Sequence, residues 1–412
     1  MLYRILLLLF LLLIVPDVHV YFVYVRRWTA KWWLRALTLL PTTLLFLYMF
    51  YVLRHDDMRV EHQAAVGRFM FILLLITVPR FLFTIFDVVG WLMSQLLGFI
   101  RKPLATRNGP LRRVFRIVAM TVSIFSVILL CYGYFVGRNR YVVHHQTFYF
   151  PNLPKRFDGY RIAHFSDLHI GTFSDNHQAD VNTLVDLINA QQCDAIMFTG
   201  DLVNYETRET DGYKRVLSQL QAPDGVFAVM GNHDYSMYIP AEQALREADI
   251  RDLQRRERSY GWTLLLNENQ VLHRAGDSIA VIGSENDGRK PFPSLGNLNA
   301  ATKGLKNVMK KNNQKHAPHT FSILLTHDPT HWRRNVLSDT HIDLTLSGHT
   351  HAGQFKIFGW SPVAFVYDEW SGSYTEGLHI LNVSDGIGQV MFPFRFGAWP
   401  EVNVITLRKI EN

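Results

Sequence analysis

Only two of the 412 residues are cysteine, Cys131 in an apolar segment and Cys193 in a more polar one. Two thiols in such unlike surroundings exclude a disulfide-stapled scaffold and a cysteine zinc motif. Charge is also sparse, at 19% against 48% hydrophobic residues, which excludes a disordered chain. Acidic residues are scarcest of all at the start. Residues 1–140 hold 5 Asp+Glu against 17 Lys+Arg, a net of +12, and the remainder nets −5. The basic excess thus lies wholly in the apolar part, which argues for membrane flanks and against a nucleic-acid partner. No internal repeat and no low-complexity tract is present. The length suits two or three domains of roughly 100–200 residues.

Residues 1–140 read as a transmembrane helical region of about four spans. Ile5–Tyr24 is nearly continuous Leu, Ile, Val and Phe, and no small-residue pair follows it as a signal-peptide cleavage site would require. Trp32–Leu53 is a second span. Phe69–Ile100 is a third stretch, too long for one upright helix and too short for two, with Pro79–Arg80 placed to kink it. Ile117–Val136 is a fourth. The first connection carries Arg26, Arg27, Lys31 and Arg35, and the third carries Arg101, Lys102, Arg107, Arg112, Arg113 and Arg116. The second, Arg54–Arg68, sets three arginines against Asp56, Asp57 and Glu61. Basic residues favour the cytoplasm, so this count places connections one and three there and residues 141–412 on the outer face of a bacterial plasma or inner membrane. Asp87, alone among apolar neighbours, marks either an ion pathway or a pair with Arg80.

From Tyr141 the apolar runs shorten to strand length and alternate with amphipathic stretches, the pattern of a layered α/β sandwich. Expected strands are Arg161–Ser166, Ala195–Thr199, Val226–Met230, Ile279–Gly283, Ser322–Thr326, Leu344–Ser347, His379–Val383 and Val402–Leu407. Expected helices are Asn176–Ala190 behind an Asp175 cap, Asp211–Leu220 and Ala241–Arg256. The five lysines of Lys303–Lys315 read as a solvated helical face.

Five of those strands run directly into polar residues. The tails are Asp167-Leu168-His169, Gly200-Asp201, Gly231-Asn232-His233-Asp234, His327, and Gly348-His349-Thr350-His351. Sites in α/β sheets gather outside the carboxyl ends of strands, so these tails are expected on one rim. Asp167 with His169, and His349 with His351, are two apart, a spacing that in extended chain sends both side chains the same way. Carboxylates, imidazoles and an amide oxygen suit borderline divalent metals such as Mn, Fe, Zn or Co. Seven side chains with one bridging carboxylate supply two four-ligand sites.

In this ordered signature, D-x-H, G-D, G-N-H-D, H and G-H-T-H, the chain resembles the calcineurin-like metallophosphoesterases over roughly Tyr160 to Leu407. The resemblance implies the family's αββα sandwich at 141–412 and a two-metal hydrolysis of phosphomonoester, phosphodiester or pyrophosphate bonds by a metal-bridged hydroxide. One metal would take Asp167, His169, Asp201 and His351. The other would take Asp201, Asn232, His327 and His349. His233 would protonate the leaving group, or else act as a further ligand or hydrogen-bond partner. Asp234 would orient that imidazole or cap the following turn. Within the superfamily, Thr326-His327-Asp328-Pro329, the run Gly348–Gln354 and the run Arg395–Glu401 look like the membrane-anchored or exported bacterial branch that includes hydrolases of UDP-2,3-diacylglucosamine. Ala352 departs from the usual glycine of that branch, and the multi-span anchor is larger than its usual one. Arg395 would grip a substrate phosphate or pair with Glu401.

Three functions follow as expectations. The first is a membrane-embedded phosphoesterase acting on a lipid-linked or membrane-proximal substrate. The second is a transport or sensing protein with a regulatory phosphoesterase domain. The third is a tethered phosphodiesterase for soluble substrates.

Overall fold

The computed structural model describes residues 12–54, 60–98, 109–173, 178–305 and 319–410. Four expectations therefore fall wholly or partly outside the described residues: the start of the first apolar run, the Asp175 cap, the lysine-rich stretch beyond Leu305, and much of connections two and three. The chain divides into two compact units, residues 1–56 with 65–136, and residues 57–64 with 137–412.

The first unit is helical. Helix α1 (residues 12–28) contains a π turn at Tyr21–Val25. It is followed by α2 (Trp32–Leu37), α3 (Leu40–Arg54), α4 (Val60–Gly98) and α5 (Pro110–Phe135). Two described stretches are long and apolar enough to cross a membrane, Gln63–Gly98 and Pro110–Asn139. The second expected span is broken in two, because Pro41 suits the first turn of a new helix and cannot continue an old one. The third stretch is one helix of 39 residues with Pro79 inside it. Arg80 does not pair with Asp87. Seven residues of helix separate them by about 10 Å along the axis, beyond side-chain pairing. Arg80 instead meets Asp17 at 2.7 Å, and Asp87 meets His19 at 2.9 Å and Arg112 at 3.3 Å. These pairs tie α1, α4 and α5 together and leave the buried carboxylates compensated, as burial among apolar side chains demands.

The second unit is an α/β sandwich of two mixed six-stranded sheets. Its strands are β1 (Val142–Phe150), β2 (Arg161–Phe165), β3 (Ala195–Phe198), β4 (Val226–Ala228), β5 (Thr263–Leu264), β6 (Glu268–Arg274), β7 (Asp277–Gly283), β8 (Ser322–Leu325), β9 (Leu344–Ser347), β10 (Gly372–Glu376), β11 (His379–Val383) and β12 (Glu401–Lys409). One sheet runs β1-β12-β2-β3-β4-β5 and the other β10-β11-β9-β8-β7-β6. In the first, β12 runs antiparallel to β2 and every other pair is parallel.

Period-two alternation explains the layers. Ile162, Ala195, Met197, Ile323 and Leu325 fill the space between the sheets. Their neighbours Ala163, Ile196 and Phe198 face outward onto α6 (Gln178–Asn189), which supplies Val181, Leu184, Val185 and Ile188. Ala280, Ile282 and Leu324 face the opposite outer layer, with Trp332 and Val336. Helix α7 (Gln243–Ser259) buries Leu253 on the first outer layer. The expected helix at 211–220 shrinks to the single turn Lys214–Leu217, because Asp211 is extended and bonded to Arg256 of α7.

Candidate metal centre

The carboxyl ends of β2, β3 and β4 in one sheet, and of β8 and β9 in the other, bring the five polar tails together. Three groups of side chains each hold their ligand atoms within 4.8 Å of one another: Asp167, His169 and His351; His169, Asp201 and His233; Asp201, His327 and His349. The convergence has a different origin from strand alternation. Asp167, His169, Asp201, His349 and His351 all adopt positive φ, between 43° and 74°. Such left-handed residues cost about 1–3 kcal/mol each and persist only where the surroundings impose them. The chain turns sharply at each tail, and the turn aims the side chain. Two glycines permit the crowding. A Cβ at Gly231 would strike Asp201 Oδ1 and His327 Nδ1, and one at Gly348 would strike Ser166 Oγ and Asp167 Oδ2.

Hydrogen bonds set which atom of each ring faces inward. His327 Nδ1 donates to the Thr199 carbonyl at 2.7 Å, so its Nε2 is turned to Asp201 Oδ2 at 3.0 Å. His349 has Nε2 against Tyr367 Oη at 2.9 Å, and its Nδ1 lies 3.3 Å from His327 Nε2. His169 Nε2 and His351 Nε2 approach to 3.1 Å, and Asp167 Oδ1 is 3.2 Å from the latter. Asp167 also accepts the His349 amide, at 3.0 Å from Oδ2. Asn232 Nδ2 donates to Tyr238 Oη at 2.9 Å, and its Oδ1 is buried without a partner among the described residues, as is His169 Nδ1.

The electrostatics match this packing. Burial opposes charge on His327, yet the carboxylates of Asp201 and Asp167 overcome it and raise the imidazole to about 10. Burial likewise disfavours the Asp201 carboxylate, and the imidazoles of His327, His233 and His169 nonetheless hold it well below the usual carboxylate range. Burial pushes His169, His349 and His233 down. Carboxylates, ring nitrogens crowded against one another and a buried amide oxygen form a donor set suited to a divalent cation.

His233 sits at the edge of this cluster. Its Nδ1 donates to the Asn204 carbonyl at 2.6 Å, its ring lies 4.4 Å from that of Tyr238, and its amide donates to Asp201 Oδ1 at 2.8 Å. Asp234 has no part in orienting that ring. Its two oxygens accept the backbone amides of Asp201, Leu202, Val203 and Gly231 at 2.8–3.2 Å, clamping the β3 and β4 tails together. Burial, with the Asp201 charge, raises the Asp234 carboxyl to about 7.

Arg395, expected to grip a substrate phosphate or to pair with Glu401, lies among backbone carbonyls. It is wholly buried, and its Nε, Nη1 and Nη2 donate to the carbonyls of Gly388, Asp385 and Ala398 and to His351 Nδ1. Four N–H groups of the guanidinium thereby bond backbone carbonyls, and the fifth faces His351 Nδ1. The Glu401 carboxylate accepts from the Asp385 amide and the Asn403 side chain, and its charge favours the Arg395 cation.

Several supporting residues carry no sequence signal of their own. Glu209 is the clearest. Its carboxylate accepts the amides of Asn204, Tyr205 and Glu206 at 2.6, 2.8 and 3.3 Å, and Gln63 Nε2 at 2.7 Å. It thus shapes the loop that presents the Asn204 carbonyl to His233. Tyr238 and Tyr367, which flank His233 and His349, are equally silent in sequence.

Comparison with known proteins agrees with this geometry. Residues 160–353 match the family described as "Calcineurin-like phosphoesterase", and residues 3–138 match "Probable Calcineurin-like phosphoesterase, transmembrane domain". The chain is 30% identical over 269 residues to the uncharacterized metallophosphoesterase YkuE of Bacillus subtilis, covering 62% of this chain and 82% of that one. It is 28% identical over 280 residues to an uncharacterized metallophosphoesterase of Aquifex aeolicus, covering 67% and 93%. It is also 25% identical over 332 residues to a bovine transmembrane protein with metallophosphoesterase domain, covering 78% and 68%. With the strand-end His and Asp clusters in place, the chain belongs to the calcineurin-like phosphoesterases, as a metal-dependent phosphoester hydrolase joined to a membrane-anchoring region.

Proposed function

We propose that the protein hydrolyses a lipid-linked or membrane-proximal phosphoester at a two-metal centre. One ion would be held by Asp167, His169, Asp201 and His351, and the other by Asp201, Asn232, His327 and His349. The observation that carries this reading is the crowding of ring nitrogens. His169 and His351 present Nε2 to each other at 3.1 Å, and His349 and His327 present Nδ1 and Nε2 at 3.3 Å, both beside Asp201 or Asp167. Bound divalent ions supply Lewis acidity, activation of water and neutralisation of charge on the attacking and leaving oxygens.

The chain's own groups do the rest. The Thr199 carbonyl keeps a His327 proton on Nδ1, which leaves Nε2, beside Asp201, as the atom that would ligate an ion. Asp234 fixes the two tails that carry Asp201 and Asn232. His233 carries the proton for the leaving group on Nε2. Its Nδ1–H bond to Asn204 persists after that transfer, so the neutral ring needs no reorientation. The membrane-anchoring region supports a membrane-confined substrate, because anchoring raises the effective concentration of anything held in the same bilayer. The charge asymmetry of the connections supports a catalytic unit on the outer face.

The test uses the full chain in detergent and in vesicles with added Mn. Wild type is expected to hydrolyse an aryl phosphodiester and a lipid phosphoester, and to lose both activities to a chelator. His233→Asn is expected to keep its metal, to lose roughly 10²–10⁴-fold on the poor alkoxide leaving group, and to lose much less on the aryl ester. Metal loss in that variant, with equal loss on both substrates, would make His233 a ligand. Hydrolysis of soluble esters alone would leave the anchor as a tether.

A further inference from the structure

We infer that Tyr238 and Tyr367 are a pair of neutral hydrogen-bond donors that grip the phosphoryl oxygens of the substrate, beside Asn232 and His349. This inference rests on the two-metal reading above and names what holds the substrate at that centre. Each phenol stands against the outward atom of a residue assigned to the second ion. Asn232 Nδ2 donates to Tyr238 Oη at 2.9 Å, and His349 Nε2 lies 2.9 Å from Tyr367 Oη.

The direction of those two bonds decides what the phenols can do. A tyrosine hydroxyl has one proton to give and lone pairs with which to accept. The Asn232 amide group can only donate, so Tyr238 receives that bond on a lone pair and keeps its own proton. The same holds at Tyr367 once the His349 tautomer is fixed. His349 Nδ1 is the nitrogen turned into the cluster, 3.3 Å from His327 Nε2, and as the ligating atom it carries no proton. The ring proton then sits on Nε2. Asp328 favours that placement, because its Oδ2 is buried without a hydrogen-bond partner among the described residues and lies 3.8 Å from the same Nε2. His349 therefore donates to Tyr367, and the Tyr367 proton is left over as well. No acceptor for either hydroxyl is found among the described residues. A phenol keeps its proton up to about pH 10, so both donors are present at neutral pH.

The two donors are close to the reacting groups and to each other. The Tyr238 ring lies 4.4 Å from the His233 imidazole, and Phe292 packs edge-on at 4.7 Å against the His349 ring that bears Tyr367. Burial and the Asp328 charge push the Tyr367 phenol up, and Tyr238 is near enough to add to the effect. Both side chains are partly exposed, which leaves them reachable from solvent. Their backbones are fixed: the Tyr367 amide donates to the Val363 carbonyl at 3.0 Å, and Ser236 Oγ ties the Tyr238 segment to Asp249 at 2.7 Å. Donors fixed in advance toward an anionic oxygen need no reorganisation when it arrives.

The experiment measures binding of inorganic phosphate to the full chain in detergent by calorimetry, with and without saturating Mn, in wild type, Tyr238→Phe and Tyr367→Phe. Metal content, melting temperature and turnover of an aryl phosphodiester are read on the same preparations. Phenylalanine removes only the hydroxyl. Each variant is expected to keep its fold and both ions and to bind phosphate about ten- to a hundredfold more weakly, the worth of a hydrogen bond to a charged group, with turnover falling in step. Wild-type phosphate affinity in both folded, metal-loaded variants overturns the assignment and leaves the two-metal reading standing. Loss of ions, with phosphate affinity restored by excess Mn, makes the tyrosines supports for Asn232 and His349 alone and overturns it too. Phosphate binding to wild type that does not depend on Mn overturns the two-metal reading itself.

Discussion

Replacing Glu209 tests whether the loop behind His233 is held by one carboxylate. Glu209 is almost wholly buried and receives three consecutive backbone amides and the Gln63 side chain. Alanine leaves those donors without an acceptor. Losing a satisfied bond costs about 1 kcal/mol and stranding a buried donor about 1–3, so the three amide bonds alone, two short and one long, amount to roughly 3–5 kcal/mol. Against a total stability of about 5–15 kcal/mol that is a severe loss, and the melting temperature should drop by roughly 5–10 °C. Burial raises the Glu209 carboxyl to about 7. A carboxyl raised above its unfolded value favours the protonated folded state, so its contribution falls as pH rises from about 4.5 through 7. Glu209→Gln keeps one acceptor and cannot ionise, so it should melt between wild type and alanine and lose that slope. Because the loop presents Asn204 to His233, turnover should suffer more on an alkoxide than on an aryl leaving group. The assay is thermal unfolding of the full chain in detergent across pH 5–8, with both substrates. If Glu209→Ala melts within a degree of wild type and keeps its turnover, the loop is held by something else and this reasoning fails.

Asp201→Asn should abolish hydrolysis and release metal at both sites, read by elemental analysis; retention of both ions with near-normal turnover would contradict the bridging role. Glu257 is fully buried, neither of its oxygens has a partner among the described residues, and burial holds its carboxyl well above the ordinary value. Its cost should therefore grow as pH rises above about 4.5, by up to ~1.4 kcal/mol per pH unit, and denaturant titrations from pH 5 to 9 should show that slope reduced in Glu257→Gln. Cysteine-accessibility labelling of intact cells should reach the Arg54–Arg68 connection and the 141–412 unit from outside, and labelling of Arg101–Arg116 from outside would reverse the orientation.

The strand ends were legible because chemistry and periodicity coincide there. Each of the eight expected strands is found within a few residues of its expected bounds, since short β-branched and aromatic runs ending in Gly, Asp or His carry both a strand signal and a stop. Strands β1, β6 and β10 left no such mark. They lie at sheet edges, partly exposed, where half of each strand need not be apolar. The two-residue helix-to-helix break before Pro41 was legible in principle, but a hydropathy window reads through it.

What sequence alone determined was the set of polar groups, their order and the two-part character of the chain, because motif blocks and apolar runs are local properties. What the tertiary structure decided was everything that depends on one segment meeting another. Arg395 looks in sequence like a free cation near a phosphate site, and only folding shows four of its donors on carbonyls and the fifth facing His351. Asp234 stands next to His233 in the chain, yet it serves the backbone of the β3 tail. Asp167 and His169 converge through left-handed turns rather than strand alternation, their amides held by the carbonyls of Gly200 and Asp201 in the neighbouring tail, with the His349 amide reaching the Asp167 carboxylate from the other sheet. Glu209, silent in sequence, becomes the anchor of the loop beside His233 only when residues 63, 204, 205 and 206 close around it. Local patterns encode which atoms are available; burial and long-range hydrogen bonding decide which of those atoms remain free to act.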